Sequence, residues 1–520
     1  MKASILPLAF LFCAAAAQAQ TVDSSALLFD DSYVHEFNVT FYYPQWEDSL
    51  KYWYEHGEEY IPARIEYAGL VFDSVGVRYK GNSSYGMSRN TPKKPLKFAF
   101  DKYRGKQECY DVETLNFSNA AKDPTFLREK ICYDMIATRM AAPRTAFAAI
   151  RVNGQLLGLY TMVEQVDKKF LARHFADDNF NLYKSSDNGG SLEYRGPTSA
   201  NYTMEYELKT NEKANDWSRF IEMLNLLSSV PDVEFRDRVG AWIEFESAIQ
   251  LLAFNMVMSN FDSYTGSGRN FYVYDDGSTG QFTFIPWDIN EGFGSYPNNW
   301  NVFTQDILAI SNLQKRPLNR RILGDDLLRA RYLRAVRSFV DGSAHEDNIN
   351  AQIARWKPLI DAWVQADQNK LYSYQQFLDN MDRDVMVGPN MPVPGLTRFS
   401  RTRNENLRTQ LAGYASLSAG ALPDNPVSAV WNYPNPVSST TNIVFSLRDR
   451  GDVTLIISNS LGEEMLRIAV GEREAGEHAV AQVGAGFDPG VYFYRVLYSS
   501  SSISARSIVG SGIGKFTILH

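Results

Sequence analysis

The chain has 520 residues, 44% apolar and 22% charged, which suits two or three domains with sizeable cores and not a disordered chain. Its net charge of −8, from 52 Lys+Arg against 60 Asp+Glu, argues against a nucleic-acid partner while leaving room for a local basic groove. The six histidines are scattered without ligand-like spacing, which argues against a zinc site.

The first residues, "MKASILPLAFLFCAAAAQAQ", combine Lys2, an apolar run from Ile5 to Ala17, and the small-x-small triplet Ala17-Gln18-Ala19. That pattern predicts a signal peptide over 1–19 and a mature chain starting near Gln20. The run is too short for a membrane helix, and no later segment is long and apolar enough to span a bilayer. The expectation is an exported protein, extracellular or at the cell surface. Two cysteines remain after cleavage, Cys109 and Cys132, which either pair or stay as free buried thiols.

Residues 35–42 read as a strand and "QWEDSLKYWYEHGE" as a helix ending near Gly57. From Ile61 to Phe100 strands dominate, broken at "GNSSYGMSRNTPKK". "DPTFLREKICYDMIATRM" reads as a helix with Asp123 as N-cap and Pro124 at its first position. "RTAFAAIRV" and "LLGLYTMVEQV" follow as two strands joined by Asn153-Gly154, a type I′ hairpin signal. Together these predict a small mixed sheet carrying one helix. Beyond Lys168 helices take over, and "AWIEFESAIQLLAFNMVMSN", apolar nearly all round, is the expected central helix. A linker is expected at 414–430, followed at 431–520 by short strands with turn punctuation, an all-β module.

The most informative stretch is "SNFDSYTGSGRNFYVYDDGSTGQFTFIPWDINEGFG", Ser259 to Gly294. Asp262 follows the apolar helix, Asn270 opens one strand of a hairpin, and Asp288 lies just past its return strand. A hairpin brings its open ends together, so an acid, an amide and an acid should converge. Such oxygens suit Mg²⁺, and a further carboxylate suits a hydroxyl proton. Capping and turn formation is the plain alternative for each residue, and the expected role of Asp275 and Asp276. Upstream, the loop Lys80, Gly81, Asn82, Ser83, Ser84 offers backbone N–H groups and hydroxyls to phosphates. Lys97 points from the polar face of "PLKFAF". Glu129 lies on an apolar helical stripe with Phe126, Tyr133, Ile136 and Met140, where an acid needs a partner, and Lys97 is the expected one. A carbohydrate hydrolase using Asp262 with Glu291 or Asp288 as paired carboxylates is a rival reading, as is a surface protein that keeps the fold for binding alone.

The words "VGVRYKGNSS", "KKPLKFAFDKY", "LREKICYDMIATRMA", "VNGQLLGLYTMVEQVDKKFL" and the 259–294 stretch resemble the CotH family of spore-coat and secreted kinases, over roughly residues 35–413. The resemblance implies an α+β, two-lobed, atypical protein-kinase-like domain that uses ATP and Mg²⁺ or Mn²⁺ to phosphorylate serine or threonine of a secreted or surface protein. On this chain it implies Asp262 as catalytic acid and Asp288 and Asn270 as metal ligands. It also implies Lys97 with Glu129 as the phosphate-holding pair, with Lys80 the other lysine available, and Glu164 at the adenine-contacting hinge. The chain departs from the family pattern at Asn290, where another acid is usual. The C-terminal words "NYPNPVSSTTNIVFSL" and "GVYFYRVLY" resemble type IX secretion sorting domains, which implies an Ig-like β-sandwich handled by that machinery.

Overall fold

The computed structural model describes residues 23–518 except 311, 389–390, 416, 418–426, 434–436, 438–439, 448, 460–463 and 501–507. The expected signal peptide and most of the expected linker lie outside the described residues.

The first lobe comprises β1 (His35–Phe41), α1 (Trp46–Glu55), β2 (Ile61–Tyr67), β3 (Leu70–Tyr79), α2 (Ser83–Met87), β4 (Leu96–Ala99), β5 (Thr114–Ser118), α3 (Arg128–Ala137), β6 (Thr145–Val152) and β7 (Gln155–Glu164). The small mixed sheet expected closes into a barrel, with strand order β1-β2-β3-β4-β5-β7-β6. Closure rests on β1 lying parallel to β6, with Phe37 opposite Ile150, a pairing far apart in the chain that no local pattern announces. β5, which the sequence reading also missed, fills the gap between β4 and β7. β6 and β7 are buried on both faces: Ala146, Ala148 and Tyr160 fill the barrel, while Phe147, Leu159 and Val163 enter the core of the second lobe. That explains their nearly continuous apolar runs. The hairpin between them turns on Asn153 (φ 49°) and Gly154 (φ 84°), as a type I′ turn requires.

α3 starts four residues later than its sequence signal suggested. Asp123 accepts from the backbone N–H groups of Thr125 (2.9 Å) and Arg128 (2.8 Å), closing a turn ahead of the helix. It also holds the Arg128 guanidinium at 2.5 Å. The buried Arg128 charge needs this carboxylate, so Asp123 does more than cap.

The second lobe contains α4 (Lys168–His174), β8 (Leu182–Ser185), β9 (Tyr206–Leu208), α5 (Ser218–Ser229), α6 (Asp232–Gly240), α7 (Phe245–Val257), β10 (Phe271–Asp276) and β11 (Gln281–Pro286). After these come α8 (Pro317–Gly324), α9 (Asp326–Val340), α10 (Glu346–Ala366), α11 (Tyr374–Asp379), β12 (Val385–Met386), β13 (Pro392–Val393) and α12 (Leu396–Gly413). α7 is the expected central helix, with every residue but Glu246 buried, and packs on α3, α9, α12 and β11. The expected β10–β11 hairpin forms, pairing Phe271 with Pro286, and joins β8 and β9 in a four-stranded sheet. Asp276 caps its turn by accepting from Ser278 N–H at 3.0 Å, whereas Asp275 ion-pairs with Arg219 at 2.8 Å. Lys93, ahead of β4, meets Asp367, after α10, in a fully buried 2.6 Å ion pair that ties the lobes together. Removing one partner of such a pair typically costs about 3–5 kcal/mol, because the other charge is stranded.

The last strands are β14 (Val427–Tyr433), β15 (Thr441–Leu447), β16 (Gly451–Ser458), β17 (Glu464–Arg473), β18 (Gly476–Val483), β19 (Gly490–Ser500) and β20 (Ile508–Ile518). They form two antiparallel sheets, β14-β15-β18 and β17-β16-β19-β20, around one core that includes Phe445, Leu455, Tyr494 and Phe516. The molecule is therefore mixed α+β. Cys109 and Cys132 are both free and buried, one in the barrel and one on α3. Among the described residues no helix is long and apolar enough to cross a membrane.

Candidate active site

A cleft of about 420 Å³ opens between the barrel and the second lobe. Asp262, Asn270 and Asp288 all line it, facing Lys80, the 81–84 loop and Glu129 from the first lobe. The convergence expected at the hairpin's open ends is present. Trp287 N–H donates to the Asn270 carbonyl at 3.2 Å and closes the hairpin there. Asn270 (φ 62°) and Asp288 (φ 48°) both have left-handed backbones. Asn and Asp tolerate that region better than most residues, at a cost of roughly 1–3 kcal/mol each.

Eight residues separate Asp262 from Asn270, and the loop between them folds back tightly. Gly268 N–H donates to Ser263 O at 2.9 Å, and Ser267 N–H to Phe261 O at 3.1 Å. Gly266 is essential to this path, since a Cβ there would stand 1.9 Å from the Phe261 carbonyl oxygen. From outside, Arg316 and Asn312 donate to Gly266 O at 2.7 and 3.0 Å. The Asn270 side-chain nitrogen then reaches Asp262 at both its carbonyl (2.7 Å) and its Oδ2 (3.1 Å).

The lysine assignment changes. Lys80, just past β3, is the one that feels Asp288 and Glu129; its Nζ donates to Asn116 Oδ1 at 3.3 Å and lies 5.4 Å from the Trp287 ring centre. Burial lowers its pKa and the two carboxylates oppose that. Lys97 lines the same cleft but donates to Gln165 Oε1 at 3.1 Å, among other cations. Burial, then the neighbouring Arg78 and Lys80, push its pKa down to about 7. Strand alternation correctly put Lys97 on the cleft face, but which lysine meets α3 depends on how the helix docks.

Burial, then the charge of Asp288, raises the Glu129 carboxyl, and burial raises Asp288. Glu164 does not face the cleft: Arg144 holds it at 2.7 Å and Arg173 pairs with its other oxygen. Its backbone N–H is already given to Arg144 O at 3.0 Å. The next residue, Gln165, lines the cleft instead. Gly81 has φ 78°, and a Cβ there would meet Ser84 Oγ at 2.4 Å, so the loop needs glycine at this point.

Glu291 is a further cleft residue, buried and paired with Lys122 through Oε1, while its Oε2 is buried without a hydrogen-bond partner. Burial raises its pKa to about 7. In the sequence Glu291 stands out only as a hydrolase carboxylate, and Lys122 carries no local signal.

Among the described residues no three His, Cys, Asp or Glu side chains gather closely enough to enclose a metal. The donor set still suits Mg²⁺, which commonly takes one or two carboxylates and completes its shell with phosphate oxygens and water. Asp288 supplies a carboxylate, and Asn270, its nitrogen engaged by Asp262, has its amide oxygen left for a cation. The charge of Asp262 also raises the cost of ionising Asp288, which a cation would relieve.

Residues 77–407, more than half of the chain, match the family described as CotH kinase protein. The chain belongs to the CotH kinase family. The match begins within β3, so the CotH region includes every residue lining the cleft except Glu58, while β1 and β2 precede it. Inner spore coat protein H of Bacillus subtilis (strain 168) is 25% identical over 301 residues, 55% of this chain and 77% of that protein. Residues 432–510 match a secretion system C-terminal sorting domain, which marks the CotH protein for export to the cell surface or beyond.

Proposed function

We propose that this CotH protein transfers the γ-phosphoryl group of ATP to a serine or threonine of an exported protein. The observation that carries this reading is the convergence of Asp262, Asn270 and Asp288 across one cleft from Lys80 and the 81–84 loop. Asp288 and Asn270 hold Mg²⁺ or Mn²⁺, which supplies charge neutralisation for the phosphates when bound. Lys80 and the loop hold the phosphates, and Glu129 holds Lys80 in place. Asp262 orients the acceptor hydroxyl and takes its proton as the new O–P bond forms and the bond to the leaving ADP breaks. Lys97 and Gln165 line the nucleotide's side of the cleft.

The domain plan follows the same reading: a signal peptide over 1–19, a catalytic region over 35–413, a linker over 414–430, and an Ig-like sandwich over 431–520 handled by type IX secretion machinery. The test is transfer of label from γ-labelled ATP to a serine-rich protein, beside calorimetric titration of a Mg²⁺–ATP analogue. Binding with transfer supports the kinase. Absence of nucleotide binding returns the protein to the binding-only reading, and metal-independent glycan cleavage to the hydrolase.

A further inference from the structure

We propose that Tyr133 is a positioning residue that holds Asp288 in its cleft-facing backbone conformation, so that α3 sets the affinity of the site for its cation. The inference rests on the kinase reading of the cleft. Asp288 lies two residues beyond the last paired position of β11, Pro286, so the hairpin ladder offers its N–H no partner. That N–H donates instead to Tyr133 Oη at 3.0 Å. The left-handed backbone of Asp288 is costly for a residue with a side chain and persists only where its surroundings impose it.

Tyr133 is buried, 1% exposed, on the α3 stripe that also carries Glu129 one turn earlier. Its neighbour Cys132 grips the other end of the same turn: a Cβ on Gly292 would stand 2.4 Å from the Cys132 sulfur. Consecutive residues of one helix thus hold both ends of the 288–292 turn, while Glu129 on the same helix lines the cleft with Asp288 and Lys80. A movement of α3 shifts the proposed cation ligand and the proposed phosphate-holding lysine together. A tyrosine that merely fills the core would need no hydroxyl at this place.

The experiment uses the full chain, with Mg²⁺ titrated at a fixed concentration of a non-hydrolysable ATP analogue. Tyr133→Phe should raise the Mg²⁺ concentration for half-maximal nucleotide binding by about 10-fold, the scale expected when a buried N–H loses its acceptor. Metal-free nucleotide affinity should stay within about 2-fold, because the change acts through Asp288. Tyr332→Phe is the control, since it removes a buried 2.8 Å hydrogen bond to Ile307 O elsewhere in the second lobe. It should lower the melting temperature without moving the Mg²⁺ requirement. Gly292→Ala decides the matter independently should Tyr133→Phe fold poorly: it should raise the Mg²⁺ requirement, and adding Cys132→Ala should restore it. Parental Mg²⁺ titrations in both Tyr133→Phe and Gly292→Ala overturn the inference and leave the kinase reading standing. A parent chain with no Mg²⁺-dependent nucleotide binding overturns both.

Discussion

Asp262 and Asp288 are the same chemical group in one cleft, yet the proposed kinase reading gives them different work. Asp288 lies near Lys80 at the end of the hairpin, while Asp262 is hydrogen-bonded by the Asn270 amide nitrogen. Asp288→Ala should therefore weaken metal-dependent nucleotide binding itself. Asp262→Asn should bind the Mg²⁺–ATP analogue like the parent and transfer phosphate about 10²-fold more slowly, the usual scale for losing a positioned base. Calorimetry beside a labelled-phosphate assay separates the two, and parental behaviour in both variants would reduce the set to caps and turn formers. Lys97 allows a test by pH. Its folded pKa of about 7 lies well below that of an ordinary lysine, so its charge disfavours the folded state. The cost is fully present below about pH 7, where both states are protonated, and fades as pH rises toward about 10.5, where the unfolded lysine also turns neutral. Lys97→Met should raise the melting temperature more at pH 6 than at pH 10. An equal gain at both values would show that Lys97 is charged at no cost in the fold.

At the scale of elements, the hairpin and the loop before it are the clearest case of local sequence making local geometry. The β10–β11 strands pair from Phe271 with Pro286 to Asp276 with Gln281, in the register set by their turn. The 262–270 loop depends on Gly266, whose missing side chain lets the chain pass the Phe261 carbonyl. The clash from an added methyl is with backbone, so no rotamer change relieves it. Gly266→Ala should lower turnover by about 10²-fold or more by displacing Asp262 relative to Asn270, since a shift near 1 Å at a catalytic group has effects of that size. Thermal unfolding and turnover measured together check this, and parental turnover in a folded variant contradicts it. α3 shows the opposite case. Its apolar stripe was readable, but its start was not, because Asp123 answers the buried Arg128 as well as the helix end.

At the scale of the molecule, the barrel and the helical lobe share a boundary that β6, β7 and α3 occupy together, and the Lys93–Asp367 pair ties it further. The β-module has its own core, and among the described residues its strands pair only with one another. A chain ending at Gly413 should therefore remain soluble, unfold cooperatively and retain phosphoryl transfer, yet fail to reach the cell surface. Circular dichroism melts, the transfer assay and fractionation of expressing cells measure these outcomes. An insoluble truncated chain places the domain boundary elsewhere, and normal surface delivery removes the sorting role of the β-module.

Patterns of short range determined the central helix α7, the Asn153-Gly154 hairpin, the acid-amide-acid set at the ends of β10 and β11, and the alternating strands of the β-module. Each follows from periodicity, turn chemistry or strand pairing within a few dozen residues. Tertiary structure alone decided that β1 closes a barrel against β6, that β8 and β9 extend the hairpin's sheet, and that Glu164 turns to Arg144 and Arg173. It also decided that Lys80 feels the charges of Asp288 and Glu129, while Lys97 donates to Gln165. The physical reason is the same in each case. Strand alternation says which face a side chain takes, but not which partner the docking of a distant element brings there, and a buried charge takes the counter-charge that docking supplies.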